Sequence, residues 1–199
     1  VWMTLFRKDR TVLVIATKLA VAQNFIKKVK IALSGVPAWM WITDITAKNT
    51  QGIEFSNGSA IKAIPTSDDA GRSEALSLLI VDEAAFIRNF DELWKGLYPT
   101  LSTGGRALVV STPNGTGGQY YDLWHQAVEH TNEFNPIKLP WDVHPERDDE
   151  WFAKESMNMN KQQVAQELLC DFQASGDTFL AMEEIEKLRY KVRTPLEKW

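Results

Sequence analysis

Three short runs of apolar and β-branched residues constrain the fold of this 199-residue chain more than any other feature of its sequence. They are Thr-Val-Leu-Val-Ile-Ala at 11–16, Leu-Ser-Leu-Leu-Ile-Val at 76–81 and Ala-Leu-Val-Val-Ser at 107–111. Such runs are typical of strands that are buried on both faces of a parallel sheet. Helical patterns follow these runs at 18–33, 91–101 and 119–129. Because strands and helices alternate, the sequence predicts a mostly parallel, doubly wound α/β sheet.

The stretch between the first two runs predicts a helix and then a β-hairpin. Apolar residues recur at helical spacing over 18–33, with Thr17 as the expected N-cap and Gly35 at the expected end. Residues 52–64 alternate between apolar and polar types around Asn57-Gly58. Since Asn-Gly suits the positive φ angles of a type I′ turn, we expect a hairpin with that turn.

The second half of the chain predicts a smaller helical region after the sheet. Residues 135–140 suggest one more strand. Helices are expected near 149–158 and 161–170, and residues 173–180, which include Ser-Gly-Asp, have the composition of a linker.

Composition limits the classes of function. Hydrophobic residues at 44% and charged residues at 24% are ordinary for a globular protein. The apolar runs are too short to cross a bilayer, so we expect no membrane partner. The net charge of −4 argues weakly against broad duplex binding, although Lys27, Lys28 and Lys30 could form a local patch. Because Cys170 is the single cysteine, an intramolecular disulfide and a multi-cysteine zinc site are excluded.

Two adjacent carboxylates, Asp82 and Glu83, directly follow the second apolar run. A parallel strand would deliver them to the carboxyl edge of the sheet, where ligands bind in open α/β folds. In such a Walker B arrangement Asp82 would hold Mg²⁺ near the phosphates of a nucleotide, and Glu83 would orient the attacking water as a general base. The alternative is that Asp82 caps the following turn and Glu83 is merely solvated.

Small polar residues stand at the end of the third run and directly after it. Ser111, Thr112 and Asn114 carry hydroxyl and amide groups that could contact a γ-phosphate or its attacking water. Pro113-Asn114-Gly115 alone indicates only a turn. A strand ending in Asp-Glu and another ending in Ser-Thr, 29 residues later, form a more specific combination than either motif alone.

Two basic residues have roles that the sequence leaves open. Arg72 lies ten residues before Asp82 in a polar loop. It is either an arginine that stabilises charge during phosphoryl transfer or a solvated surface residue. Lys18, just after the first run, is a nucleotide ligand, a DNA contact or an exposed helix start.

A phosphate-binding loop of the form G-x-x-x-x-G-K-[ST] does not occur in the sequence. The Gly-rich stretches at 104–106 and 115–118 lack the required order of lysine and hydroxyl residue. In a P-loop domain this loop is expected one strand and one helix before Thr11, so we expect it upstream of Val1. We also expect the 199-residue chain alone to bind ATP poorly and to hydrolyse little of it.

Several motifs stand in a fixed order along almost the whole chain. They are Lys-Asp-Arg-Thr-Val-Leu-Val-Ile-Ala-Thr-Lys (8–18), Leu-Leu-Ile-Val-Asp-Glu-Ala-Ala-Phe-Ile (78–87), Val-Val-Ser-Thr-Pro-Asn-Gly (109–115), Tyr-Tyr-Asp-Leu-Trp (120–124), Gln-Glu-Leu-Leu-Cys-Asp-Phe (166–172) and Ser-Gly-Asp-Thr-Phe (175–179). In this order and spacing they resemble the large terminase subunit of tailed phages.

The resemblance implies a P-loop NTPase-like (ASCE) fold with a β-hairpin excursion and a small C-terminal helical region. It implies an ATPase that uses ATP and Mg²⁺ to move double-stranded DNA into a procapsid. The implied partners are the portal protein, the small terminase subunit and further copies of the chain in a ring. The implied location is the host cell cytoplasm, with no place in the mature virion.

The resemblance also assigns roles to individual residues. Asp82 would be the Mg²⁺ ligand, Glu83 the catalytic carboxylate, and Arg72 a finger toward the nucleotide of a neighbouring subunit, although many relatives have Gly where Ser73 stands. The coupling motif, which contacts the nucleotide and links hydrolysis to subdomain movement, would contain Ser111, Thr112 and Asn114.

The expected organisation has three parts. Residues 1–140 would form the ATPase core, 141–172 a helical subdomain, and 173–199 a linker with the beginning of a nuclease domain. Two other interpretations stay open at this point. One is another ATPase with Asp-Glu in Walker B, such as a superfamily 2 helicase, and the other is a non-catalytic scaffold domain that lacks a P-loop.

Overall fold

A six-stranded mixed sheet is the central element of the computed structural model, which describes residues 1–66 and 75–176. Its strands are β1 (Thr11–Ala16), β2 (Ile45–Lys48), β3 (Gly52–Phe55), β4 (Ala60–Pro65), β5 (Leu78–Val81) and β6 (Arg106–Val109). The strand order is β2-β3-β4-β1-β5-β6. β4, β1, β5 and β6 pair in parallel, whereas β3 is antiparallel to both β2 and β4. The predicted mostly parallel sheet with a hairpin excursion is therefore confirmed.

Helices precede, separate and follow these strands along the chain. They are α1 (Trp2–Phe6), α2 (Leu19–Ser34), α3 (Phe90–Leu97), α4 (Gln119–Val128), α5 (Asp149–Ser156), α6 (Lys161–Gln163) and α7 (Phe172–Ser175). A π-helical turn, Val164–Leu168, follows α6 directly. Among the described residues, no helix is long and apolar enough to cross a membrane.

The chain divides into two compact units. One comprises Val1–Ser111 with Gly118–Tyr120, and the other comprises Thr112–Gly117 with Tyr121–Trp199. The first unit holds the whole sheet, and the described part of the second is helical and irregular. The division of the sequence into three functional parts at 140 and 172 stays a prediction.

One core cluster of the first unit lies on the face of the sheet that α1 and α2 cover. α1 and α2 bury apolar side chains there, including Leu5, Ile26 and Leu33, against β1, β3 and β4. β1 is buried from Val12 to Ala16, and because successive side chains point to opposite faces, both faces of this strand are covered. Leu78 and Ile80 of β5 pack against the same core. Leu78 and Ile80 therefore mark the face of β5 that points toward α2. Since side chains alternate along a strand, this also defines which face the next residues point to.

Two local predictions in the first unit were wrong. Lys18, not Thr17, is the N-cap of α2, since its backbone is extended and its carbonyl accepts hydrogen bonds from Val21 and Ala22. In the hairpin turn only Gly58 has a positive φ, of 81°, so the expected type I′ turn does not form. Asn57 instead uses its side chain to brace α1 and the hairpin.

Strand predictions failed where pairing decides the outcome. Residues 135–140 form no strand, because their backbone pairs with none of the described strands. β2 was not predicted from the sequence, and it exists because it adds to the antiparallel edge at β3. The predicted helix at 161–170 is instead the short α6 followed by the π turn.

Removing the Asn57 amide should destabilise the first unit. Its Nδ2 donates to the carbonyl oxygens of Thr4 (2.9 Å) and Arg7 (3.1 Å), and its Oδ1 accepts from the Ser59 amide (3.0 Å). We expect Asn57→Ala to lower the free energy of unfolding by about 1–3 kcal/mol, because backbone groups lose their partners. Urea denaturation checks this, with Asn158→Ala at an exposed position as the control. Equal stabilities of the two variants would contradict the bracing role.

Candidate functional site

Asp82 stands at the carboxyl edge of the sheet, directly after the interior strand β5. Its amide donates to the Ile15 carbonyl (3.0 Å) and so extends the pairing of β5 with β1 by one residue. Side chains alternate between the faces of a strand. Asp82 therefore continues the face of Leu78 and Ile80, which is the face that α2 covers. β1 and β6 flank β5, so this position is held from both sides.

A cavity of about 300 Å³ opens beside Asp82. It is lined by Val21, Asn24, Phe25, Lys27, Lys28 and Asp82. Positions 21, 24, 25 and 28 share one stripe of α2, since residues three, four and seven apart lie on one helix face. In the sequence the lysines stand out only as a charge cluster, but this helical spacing beside a strand that ends in Asp-Glu was a signal that could have located the cavity.

The carboxylate of Asp82 is available to a cation. It is half-buried, and within residues 1–66 and 75–176 no Lys, Arg or His forms an ion pair with it. The same part of the chain holds no group of three or more side chains suited to a metal. Mg²⁺ commonly takes one or two carboxylates and fills its remaining positions with phosphate oxygens and water. A single carboxylate at this edge therefore does not form a metal site by itself, and a cation held there would need further oxygen ligands.

Glu83 has a left-handed backbone, with φ 53° and ψ 43°. The other described non-glycine residues with positive φ include Asp9, Asn89 and His130, which tolerate this region best. For a longer side chain such as glutamate the conformation costs about 1–2 kcal/mol. Strain of this kind persists only where the surrounding structure imposes it, and it is concentrated at functional sites. Its effect here is that Asp82 and Glu83 leave the strand in different directions.

Hydrogen bonds to the end of β6 impose this turn. The Ala84 amide donates to the Val110 carbonyl (3.1 Å), and the Ala85 amide donates to the Ser111 hydroxyl (3.2 Å). The Ser111 carbonyl in turn accepts from the Tyr120 hydroxyl (3.1 Å). The structure thus brings Ser111 next to the turn that carries Glu83. In this structure the Ser111 hydroxyl binds the backbone of that turn.

The outcome for the other predicted site residues differs from one residue to the next. Thr112 and Asn114 belong to the second compact unit, in the loop that follows Ser111. Arg72 lies outside the described residues, so the structure does not place it. Lys18 is exposed at the N-cap of α2. The roles assigned to these residues stay predictions.

Replacing Glu83 by glycine should relieve the backbone strain. We expect Glu83→Gly to leave the free energy of unfolding unchanged or to raise it by up to about 1 kcal/mol, because glycine adopts positive φ without a steric cost. The control Glu92→Gly lies within α3 and should lose about 1 kcal/mol, since glycine is a poor helix former. Thermal or urea denaturation compares the two. A larger loss for Glu83→Gly than for Glu92→Gly would show that Glu83 is not strained.

Comparison with known proteins assigns the chain to a family. The model of the family described as "Terminase large subunit, T4likevirus-type, N-terminal" matches residues 1–187. Among solved structures, the large terminase ATPase domain of Thermus phage P74-26 is similar, with 20% identity and a TM-score of 0.65, covering 86% of this chain and 80% of that one.

Two further large terminases share the fold. One, from a thermophilic bacteriophage and solved in complex with ADP, has 10% identity and a TM-score of 0.68, covering 86% of this chain and 42% of that one. We refer to it as the ADP-bound terminase. The other, from bacteriophage HK97, has 14% identity and a TM-score of 0.54, covering 92% and 36%. At these identities the structures show a common fold, and the family model shows the membership. The chain belongs to the family of phage terminase large subunits and matches its N-terminal region.

Proposed function

We propose that this chain is part of the ATP-hydrolysing motor of a terminase large subunit, which moves double-stranded DNA into a procapsid. One observation carries the proposal. The turn after β5 presents Asp82 in a cavity at the carboxyl edge of the sheet and holds Glu83 in a strained conformation beside it. Two neighbouring carboxylates that leave an interior strand in different directions can take the two separate roles that hydrolysis requires.

Asp82 would hold Mg²⁺ together with the nucleotide phosphates. Its position in the cavity allows this, as does its lack of an ion pair with any of the described residues. The bound Mg²⁺ would neutralise charge that develops on the phosphates. Glu83 would accept a hydrogen bond from the attacking water and align it with the γ-phosphate. The left-handed backbone fixes the direction in which the Glu83 side chain leaves the main chain. The carboxylate would therefore move little during the reaction.

The phosphate-binding loop would be supplied from outside these 199 residues, because the sequence contains none. The ADP-bound terminase has also been solved in complex with ATP-gamma-S. We infer that the complete protein carrying this chain binds ATP in the same manner. Arg72 is proposed as a finger toward the nucleotide of a neighbouring copy, and Ser111, Thr112 and Asn114 as the motif that responds to the γ-phosphate.

The remaining proposals concern the assembly. The chain spans less than half of the ADP-bound terminase and of the HK97 large terminase, so DNA translocation and DNA cleavage are proposed for the complete protein. Its proposed partners are the DNA duplex, the portal protein, the small terminase subunit and further copies in a ring. Its proposed site of action is the host cell cytoplasm.

Replacing Glu83 by glutamine in the complete protein should separate binding from hydrolysis. Glutamine has the same shape but cannot act as a base. We expect Glu83→Gln to bind ATP with unchanged affinity and to lower kcat about 10²–10⁴-fold. Nucleotide-binding titration and phosphate-release kinetics measure the two quantities. Retained turnover would contradict the assignment of Glu83, and absence of ATP binding in the unsubstituted protein would favour a non-catalytic scaffold.

Replacing Asp82 by asparagine should weaken the dependence on Mg²⁺. We expect Asp82→Asn to raise the Mg²⁺ concentration required for half-maximal ATP turnover at least about tenfold, because a neutral amide is a weaker ligand for a hard cation. Asp91→Asn, on the exposed side of α3, is the matched control and should leave that concentration unchanged. An identical Mg²⁺ dependence for Asp82→Asn and the control would show that Asp82 is not a ligand of the metal.

A further inference from the structure

The loop after Ser111 is tied to a distant helical segment of the second unit. The side-chain amide of Gln166 donates to the Pro113 carbonyl (2.9 Å), and the Gly115 amide donates to the Ser175 hydroxyl (3.1 Å). These bonds join positions 53 and 60 residues apart in sequence. We refer to Pro113, Gly115, Gln166, Ser175 and Gly176 together as the loop clamp.

The two backbones of the loop clamp touch at a pair of glycines. A Cβ placed on Gly176 would lie 2.7 Å from the Cα of Gly115, and a Cβ on Gly115 would lie 3.1 Å from the Cα of Gly176. Gly115 also has a positive φ of 79°. Only glycine at both positions permits this approach, so the contact excludes any side chain and fixes the loop against the end of α7.

The helical side of the loop clamp is itself rigidly built. Ser175 is fully buried, and its hydroxyl donates to the Phe172 carbonyl (3.1 Å), which leaves a lone pair for the Gly115 amide. The Gln162 side chain donates to the Ser175 carbonyl (3.0 Å). The ring of Phe172 lies 5.4 Å from that of Tyr121 and 5.8 Å from that of Trp124, measured between centroids. Both ends of the short α7 are therefore held.

Gln166 lies in the π-helical turn Val164–Leu168. The Leu169 amide donates to the carbonyl of Val164, five residues back, at 3.0 Å, and buried Ala165 and Leu168 anchor the turn. π turns are rare and often occur at functional sites. In this chain the turn places the amide of Gln166 against the Pro113 carbonyl.

We propose that Gln166, Ser175 and Gly176 are positioning residues that transmit movement of the 113–115 loop to the segment 162–176. The loop begins at Ser111, whose hydroxyl accepts from the turn that carries Glu83, and Thr112 joins Ser111 to Pro113. A change at the Glu83 turn that displaces Ser111 would therefore pull on the loop clamp. This proposal rests on the proposed function, since it names how the hydrolysis site would act on the following helical region.

The first test measures whether the loop clamp holds the loop, and it requires no enzymatic activity. In the described chain, Ser175→Ala removes the acceptor of the Gly115 amide and should speed its hydrogen exchange about fivefold or more. Gly176→Ala should likewise speed exchange of the Gly115 amide, because the added methyl group displaces the loop. Gly117→Ala is the control, since a Cβ there meets no atom within 4 Å. Unchanged exchange in both test variants would overturn the loop clamp.

The second test measures coupling in the complete large terminase that carries this sequence, assembled with portal and procapsid. Gln166→Met keeps the size of the side chain and removes the donor to Pro113. We expect the length of DNA packaged per ATP hydrolysed to fall about fivefold or more, with ATP turnover within about a factor of two. Gln173→Met, the same change on exposed Gln173 of α7, should alter neither quantity.

The outcomes of the two tests separate the proposals. Turnover and packaging that fall by the same factor in Gln166→Met would indicate a merely structural role and overturn the coupling proposal, as would no change in either. If Glu83→Gln retains full turnover, the proposed function fails. Hydrogen exchange of the Gly115 amide alone then tests whether the loop clamp holds the 113–115 loop.

Discussion

The pairing of β5 with strands on both sides is the constraint on which the candidate site depends. β1 and β6 hold β5 in register, with Val81 opposite both Ile15 and Val109. Hydrogen bonds to both neighbours continue past the end of β5. The Ile15 carbonyl accepts from the Asp82 amide, and the Val110 carbonyl, just after β6, accepts from the Ala84 amide. Glu83 lies between these two anchors. Its left-handed conformation follows from the requirement that the chain turn within one residue from one anchor to the other.

The same bonds explain why two motifs that are 29 residues apart in sequence act as one element. The Ser111 hydroxyl fills the place of an N-cap for the turn after Glu83, because it accepts a hydrogen bond from the Ala85 amide near the start of this turn. The loop that starts there is bound at its far end by Gln166 and Ser175. These contacts define which bonds a coupling experiment has to break.

Much of the fold followed from the sequence because buried parallel strands have a strong signature. The apolar runs at 11–16 and 76–81 correspond to β1 and β5, and the residue pair after the second run reaches the expected edge of the sheet. The family resemblance, carried by the order of the motifs, was confirmed by the family model. These features are local in sequence or depend only on strand order, so patterns of residue type are sufficient to find them.

The features that the sequence did not reveal depend on contacts between distant residues. The residue pattern of 135–140 resembles a strand, but it does not reveal that no neighbouring strand is there to pair with it. The pattern of β2 likewise does not reveal that β3 lies beside it as a partner. The turn at Asn57 is not of type I′, and the Asn57 side-chain amide instead donates to the carbonyl oxygens of Thr4 and Arg7, 50 or more residues earlier in the sequence. The contact between Gly115 and Gly176 likewise has no local sequence signal other than two glycines. Predicting it requires the path of the chain between them.

Asp82 and Glu83 are proposed to form the two sides of one reaction centre, with Mg²⁺ beside Asp82 and the attacking water beside Glu83. A crystal structure of the complete protein with Mg²⁺ and a non-hydrolysable ATP analogue tests it most directly. We expect the Asp82 carboxylate to lie within about 4–5 Å of the metal, directly or through one water, and Glu83 to face the γ-phosphate. A nucleotide and metal bound away from the end of β5, with both carboxylates in solvent, would contradict it.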